Sequence, residues 1–407
     1  MAQSASTIIT KLSDRVADIT PSSTLAITAK ANKLKAAGTS IISFSAGEPD
    51  FDTPNFIKEA TIKAINDNKT RYTPSSGILD LKRAIVAKFE SENGLVYNHD
   101  QIIVSNGAKH SLFNALMAIV DKGDEVLIPS PYWLTYPELV KLAGGKPVYM
   151  KTTESCDFKI NPEMLTRAIN KRTRAIIFNS PSNPTGTVYT TDELNELAKV
   201  IEEAGIYVIS DEIYEKLVFE NAKHVSIASC SRAIQNKSIV VNGVSKSFAM
   251  TGFRIGYMAA PQEIADAVDA LQSHTTSNPN TMAQYAALAA LTNPLAKDFF
   301  AEMNAKFNTR RELMLSIVKN NPLLSCNVPL GAFYLFVNIS KVLGKSYKGF
   351  KINNSIDFAD KLLDAGVAVI PGEPFGANDY IRLSYAVSPK DIEVGLTKLN
   401  DFIAELK

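Results

Sequence analysis

The feature that most restricts the fold is an alternation in the middle of the chain. Between residues 101 and 259, seven short apolar runs are separated by stretches with helical spacing. The runs cover 101–105, 125–129, 146–150, 175–179, 207–210, 238–242 and 255–259. Ile102-Ile103-Val104 and Ile176-Ile177-Phe178 have no polar break, as expected of strands covered on both faces. Residues 108–120 and 192–203 carry apolar side chains every three to four positions. The second stretch opens on Thr190-Thr191-Asp192-Glu193, a helix-start signal. Strands alternating with helices predict an α/β fold with a mostly parallel seven-stranded sheet flanked by helices. Ligands of such sheets sit at the carboxyl ends of the strands. The residues just after each run are therefore the ones to examine for chemistry.

The pattern changes towards the C-terminus. Residues 294–324 predict a long amphipathic helix ending near Asn320, Asn321 and Pro322. Runs 332–338 and 380–385 predict strands, 355–365 a helix stopped by Gly366, and 389–406 a last helix. A chain of 407 residues is too long for one small core. The expected division is a large ligand-binding domain over 51–293 and a smaller α+β domain over 294–407. Residues 1–50 form an N-terminal arm and part of the small domain, and 11–37 lie within that stretch.

Composition excludes several classes. A net charge of +1 with no basic tail gives no field that would attract nucleic acid. No run of about 18 apolar residues is present, so no membrane span is expected. The segment 1–13 lacks an apolar signal-peptide core. Three isolated cysteines, Cys156, Cys230 and Cys326, suggest a reducing compartment, and a cytoplasmic location is expected. His99, His110, His224 and His274 show no metal-ligand spacing, so no metal is expected.

Chemistry-bearing residues follow several of the runs. Lys246, in Ser245-Lys246-Ser247, comes just after the run 238–242, and Arg254 follows eight positions later. A lysine amine forms an imine with an aldehyde, while a hydroxyl and a guanidinium fork suit a phosphate. Alone, Lys246 reads as a surface lysine and Arg254 as a salt-bridge partner. The run 207–210 ends in Asp211, and Tyr214 lies one turn further on if a helix starts there. A carboxylate at that place can hold the pyridinium nitrogen of pyridoxal 5′-phosphate (PLP). A helix cap is the plain alternative. Asn183 lies in the rigid turn Ser180-Pro181-Ser182-Asn183-Pro184-Thr185-Gly186. Ser105-Asn106-Gly107-Ala108-Lys109 is a strand, a turn and a helix start, a place where backbone N–H groups bind phosphate. Trp133, the only tryptophan, can stack on a flat ring or fill a core. Arg382 stands inside the apolar strand Tyr380-Ile381-Arg382-Leu383, where it requires an anion: a substrate carboxylate or a side chain.

Together with Ala46-Gly47-Glu48-Pro49-Asp50-Phe51 and Leu12-Ser13-Asp14-Arg15-Val16, these blocks resemble the class I aminotransferases of PLP fold type I over nearly the whole chain. The resemblance is greatest to the bacterial and plastid type of aspartate aminotransferase, whose relatives include prephenate aminotransferases. It implies Lys246 as the lysine that carries the cofactor and shuttles the proton. It implies Asp211 at the ring nitrogen, Asn183 and Tyr214 at the phenolic oxygen, and Trp133 against the ring. Gly107, Ala108, Lys109, Ser245 and Arg254 would line the phosphate end of the site. Gly47 and Arg382, with Trp133 and Asn183, would hold the substrate, and Lys109 its distal carboxylate. Tyr72, in Arg71-Tyr72-Thr73-Pro74, would reach the neighbouring subunit's phosphate, which implies a homodimer with shared sites. Aspartate and 2-oxoglutarate are the implied substrates. Two positions depart from the pattern. Phe253 stands where many relatives have tryptophan. Thr20 stands where prephenate-using relatives tend to carry a basic residue, although Thr24 agrees with them. Prephenate transamination, another PLP reaction of the fold such as C–S lysis or decarboxylation, and a non-catalytic binding module remain as alternatives.

Overall fold

The computed structural model describes residues 13–407. Leu12 and the start of the N-terminal arm lie outside the described residues. A seven-stranded sheet forms the larger part of the molecule. Its order is Ile102–Ser105, Gly256–Ala259, Ser238–Gly243, Tyr207–Asp211, Thr173–Asn179, Glu125–Ser130 and Lys146–Lys151. All neighbours are parallel except around Gly256–Ala259, which runs antiparallel to both strands beside it. Every run predicted as a strand is one, with ends moved by a residue or two.

Helices cover both faces because the strands are apolar on both. Leu112, Leu116 and Ile119 of Ala108–Ile119 pack with Ile128, Ile177 and Ile209 on one side. Leu194, Leu197 and Ile201 of Thr191–Ala204 pack with Ile176 and Val208 on the other. The predicted start of Thr191–Ala204 is a capping box. Glu193 N–H donates to Thr190 Oγ1 at 3.3 Å, and Thr190 N–H donates to Glu193 Oε2 at 2.7 Å. Gly205 ends this helix with φ +66°.

A second, antiparallel sheet has the order Ile370–Pro371, Tyr380–Ser384, Tyr334–Asn338 and Ser325–Cys326. The helix Ala296–Lys319 packs beside it, burying Met303, Phe307, Met314 and Val318 at helical spacing. The early segment Ile42–Ser43 pairs in parallel with Val367–Ala368, and Phe44 is buried in the same core. This separate two-stranded pairing lies beside the small sheet, where Ser384 N–H donates to Phe44 O at 2.9 Å, and the chain runs on from there to Gly47.

The sequence left open whether a helix starts after Asp211, and none does. Tyr214 is in a turn, not on a helix: Leu217 N–H donates to Tyr214 O at 2.8 Å, and Val218 then bridges to Gly331. Leu217 and Phe219 must enter the core beside the small sheet, so the chain leaves the large sheet here instead of winding up.

Candidate active site

A cavity of about 690 Å³ opens where the large sheet's carboxyl ends meet the small sheet. It is within the size range of small-molecule sites. Its walls include Gly47, Ala108, Lys109, Trp133, Asn183, Asp211, Tyr214, Ser245, Lys246, Arg254 and Arg382. Of the residues chosen from sequence, only Gly107 and Tyr72 are absent from its walls. Gly107 lies directly behind Arg254, since a Cβ there would collide with the guanidinium. Tyr72 is 90% exposed and faces away from this chain's own core.

Lys246 Nζ donates to the Gly47 carbonyl at 2.5 Å. Burial pushes its ammonium down to about 8, opposed by Glu48 and helped by Arg254. The amine is therefore far more available at neutral pH than that of a surface lysine. Asp211 is the last residue of its strand, and burial lifts its carboxyl to about 6. The hydroxyl of Tyr136 donates to Asp211 Oδ2 at 2.7 Å, and Ile213 N–H donates to Oδ1 at 3.3 Å. No helix starts at this point, which removes the cap alternative for Asp211.

The turn carrying Asn183 is held by Asn179, whose Oδ1 accepts the Asn183 N–H at 2.9 Å. Arg382 Nη1 donates to Asn183 Oδ1 at 2.9 Å, which leaves the Asn183 amide NH₂ as the free end. Arg382 is 2% exposed and lies 4.2 Å from the centre of the Tyr334 ring. Its Nη2 donates to Ser45 O at 3.4 Å, and its Nε is buried with no partner. Among the described residues no carboxylate pairs with it, so the salt-bridge alternative for Arg382 is not what the structure has. A buried guanidinium with an orphan N–H is poised for an incoming anion.

At the end of the cavity where Arg254 lies, Gly107 has φ +88° and caps the twelve-residue helix Ala108–Ile119. Only glycine takes that backbone and leaves room for Arg254. Arg254, itself at φ +55°, donates to Thr251 O at 2.9 Å and Asn106 O at 3.4 Å, both neutral carbonyls. Asn106 N–H in turn donates to His110 Nδ1 at 3.3 Å, a supporting role for that histidine. Lys109 Nζ lies 5.0 Å from the centre of the Trp133 ring, and burial and Arg254 hold its ammonium below the ordinary lysine range.

Several residues were not foreseen. Tyr136 bonds Asp211, Tyr334 lies under Arg382 and shares a 3.0 Å hydroxyl contact with Tyr214, and Glu48 accepts from Thr251 Oγ1 at 2.6 Å. Gly256 allows the backbone of Gly107 and Ala108 to approach its strand. Tyr136 alone had a readable signal, since it lies one helical turn from Trp133. Glu212, Glu215 and His224 bring ligand atoms within 4.8 Å of one another, a grouping that sequence spacing did not suggest. Lys88 Nζ already sits 2.5 Å from Glu215, Ser210 and Ser226 hydroxyls donate to Glu212, and His224 Nε2 lies 3.0 Å from Glu212 Oε2, so the two carboxylates already have partners within the protein.

The chain matches the family described as aminotransferase class I and II over residues 39–399. This chain is a member of that family. The aspartate aminotransferase of Geobacillus stearothermophilus is 48% identical, over 97% of this chain and 99% of that one. A probable aspartate/prephenate aminotransferase of Aquifex aeolicus is 45% identical over the same shares. The crystal structure of an aspartate aminotransferase from Rhizobium meliloti superposes with a TM-score of 0.94 at 40% identity, covering 98% of this chain and 100% of that one. The Thermus thermophilus aspartate aminotransferase with maleate gives a TM-score of 0.91 at 41% identity, over 97% and 100%. The α/β class and the mostly parallel sheet expected from sequence are therefore those of this aminotransferase. No helix among the described residues is long and apolar enough to cross a membrane.

Proposed function

We propose that this aminotransferase uses PLP to move an amino group from L-aspartate to 2-oxoglutarate, giving oxaloacetate and L-glutamate. One observation carries the reading. Lys109, Lys246, Arg254 and Arg382 line one cavity, and none is paired with a carboxylate among the described residues. Such a set needs anions from outside: a phosphate and the two carboxylates of a dicarboxylic amino acid.

The donor set fits PLP. Gly107, Ala108, Ser245 and Arg254 would hold its phosphate, Asn183 and Tyr214 its phenolic oxygen, Trp133 its ring face, and Asp211 its nitrogen. When bound, the cofactor supplies an electron sink for the bond broken at the substrate's α-carbon. The chain's own residues do the rest. Arg382, steadied by Asn183, binds the α-carboxylate and Lys109 the distal one, which orients the α-hydrogen. Lys246 Nζ, its proton affinity lowered by burial, takes the α-proton and returns it. The ionised Asp211 would favour a proton on the ring nitrogen.

Incubation of purified protein with PLP, aspartate and 2-oxoglutarate tests the reading. Glutamate should form and the lysine-linked cofactor should absorb near the visible range. A C–S lyase or decarboxylase would make no glutamate, and a binding module would turn nothing over. Prephenate as an additional acceptor is a second reading, favoured by the aspartate/prephenate name of the Aquifex relative and by Thr24 on the cavity wall. A panel of acceptors that includes prephenate separates the two.

The exposed Tyr72 supports a homodimer in which each chain completes its neighbour's phosphate site. Three free cysteines support a reducing, cytoplasmic location. The proposed division is 51–293 and 294–407, with 1–50 joining the small domain, in keeping with the pairing of Ile42–Ser43 with Val367–Ala368.

A further inference from the structure

We propose that Tyr136 is a positioning residue for Asp211, and that its hydroxyl holds the carboxylate in the charged form that keeps the cofactor's ring nitrogen protonated. The inference rests on the PLP reading of the site. Tyr136 is 2% exposed, in the first turn of the helix Thr135–Leu142. Its hydroxyl donates to Asp211 Oδ2 at 2.7 Å and is the only side-chain donor to that carboxylate among the described residues. The other oxygen receives one longer bond, from Ile213 N–H at 3.3 Å.

Geometry makes this bond hard to replace. The Tyr136 ring meets Trp133 edge-on, with centroids 5.4 Å apart and planes at 85°. Both side chains leave the same turn, so one helix start would supply the ring beside the cofactor and the hydroxyl behind its carboxylate. Burial keeps the phenol protonated far above the working pH, so it remains a donor throughout. A charge-assisted hydrogen bond favours the anion over the neutral acid. That bias matters because Asp211 is buried without a bonded cation, and burial alone favours its neutral form. A neutral Asp211 would leave the ring nitrogen unprotonated and weaken the electron sink.

The test is Tyr136→Phe, which keeps the ring and its contact with Trp133 but removes the hydroxyl. The holoenzyme is loaded with PLP carrying ¹⁵N in the ring, and the nitrogen shift is followed from pH 6 to 9. Wild type should show a protonated nitrogen across this range. Y136F should move the shift towards neutral pyridine, weaken cofactor binding about tenfold and lower kcat about tenfold, with the KM for aspartate changed less than threefold; about one pKa unit is what a lost charge-assisted bond is worth. If Y136F retains no cofactor, the Asp211 carboxyl titrates by ¹³C NMR in cofactor-free protein, and its midpoint should rise by about one unit relative to wild type. A nitrogen shift and cofactor affinity equal to wild type, or an unmoved Asp211 midpoint, overturns the inference alone. A wild-type protein that binds no PLP overturns the reading of the site with it.

Discussion

Arg382 offers the sharpest test of the substrate end. Its Nη1 is committed to Asn183 Oδ1 at 2.9 Å, its Nη2 weakly to Ser45 O at 3.4 Å, and its Nε to nothing. A substrate carboxylate can take the orphan edge in two parallel bonds. Arg382→Lys keeps the charge and offers one point contact in place of the fork. One charge-assisted bond, worth about 1.5–3 kcal/mol, is then lost. That predicts a fall of about 10- to 150-fold in kcat/KM for aspartate. The assay is steady-state transamination with saturating 2-oxoglutarate, alongside binding of maleate as a non-reacting dicarboxylate. Both should weaken, while the absorbance of bound cofactor stays. An R382K enzyme within threefold of wild type in both measurements would refute the assignment of Arg382 to the α-carboxylate.

Other consequences are as direct. Lys109→Met should raise the KM for aspartate about tenfold and leave alanine, which has no distal carboxylate, unchanged to within about twofold; steady-state kinetics with both donors decide it. Gly107→Ala sets a methyl group against Arg254 at φ +88°, and equilibrium dialysis should show PLP affinity down at least about tenfold. Burial would raise the Glu215 carboxyl, but Lys88, Lys216 and His224 bring it down to about 2. A carboxylate depressed on folding contributes stability above its unfolded value, here 4.5, and loses it as pH falls towards about 2. Glu215→Gln takes from the buried Lys88 its nearest carboxylate and leaves it Asn93 Oδ1 at 2.8 Å and Glu92 at 3.7 Å. Urea unfolding should show a loss of about 3 kcal/mol at pH 7 that shrinks as pH falls from about 4.5 to about 2. A loss that is constant over that window counts against the ion pair.

Much of the fold was legible because the strands of the large sheet are buried on both faces. Ile102–Ser105 and Ser238–Gly243 therefore have unbroken apolar centres, Ile102-Ile103-Val104 and Ile239-Val240-Val241, with polar residues only towards their ends. The direction of Gly256–Ala259 was not legible, since burial looks the same in parallel and antiparallel strands. The helices Gln262–Thr275 and Thr281–Thr292 were not foreseen either. Thr281–Thr292 buries alanines and Gln284 in place of large apolar side chains, so its pattern is faint. The placement of Lys246, Asp211 and Asn183 around one cavity was legible because each lies at or just past the carboxyl end of a buried strand. Tyr334 was not, and Tyr136 was hinted at only by its spacing from Trp133, because their partners are distant in sequence. Tyr136 reaches Asp211 across 75 positions, and the Tyr334 ring meets Arg382 only because their strands are paired in the small sheet. Whether a helix starts at Tyr214 was left open by the sequence because what decides it, the pull of Leu217 and Phe219 into a distant core, is tertiary.

The central claim is that Lys246 holds the cofactor and moves the proton. Its most direct test compares wild type and Lys246→Ala after loading with PLP, by absorbance, by borohydride trapping with mass spectrometry, and by turnover of aspartate. Wild type should trap one PLP on the peptide containing Lys246, with capture rising through about pH 8 as the amine loses its proton. K246A should trap none and lose turnover by at least about a thousandfold. A K246A protein that still transaminates near the wild-type rate, or a label found on another lysine, would contradict the account.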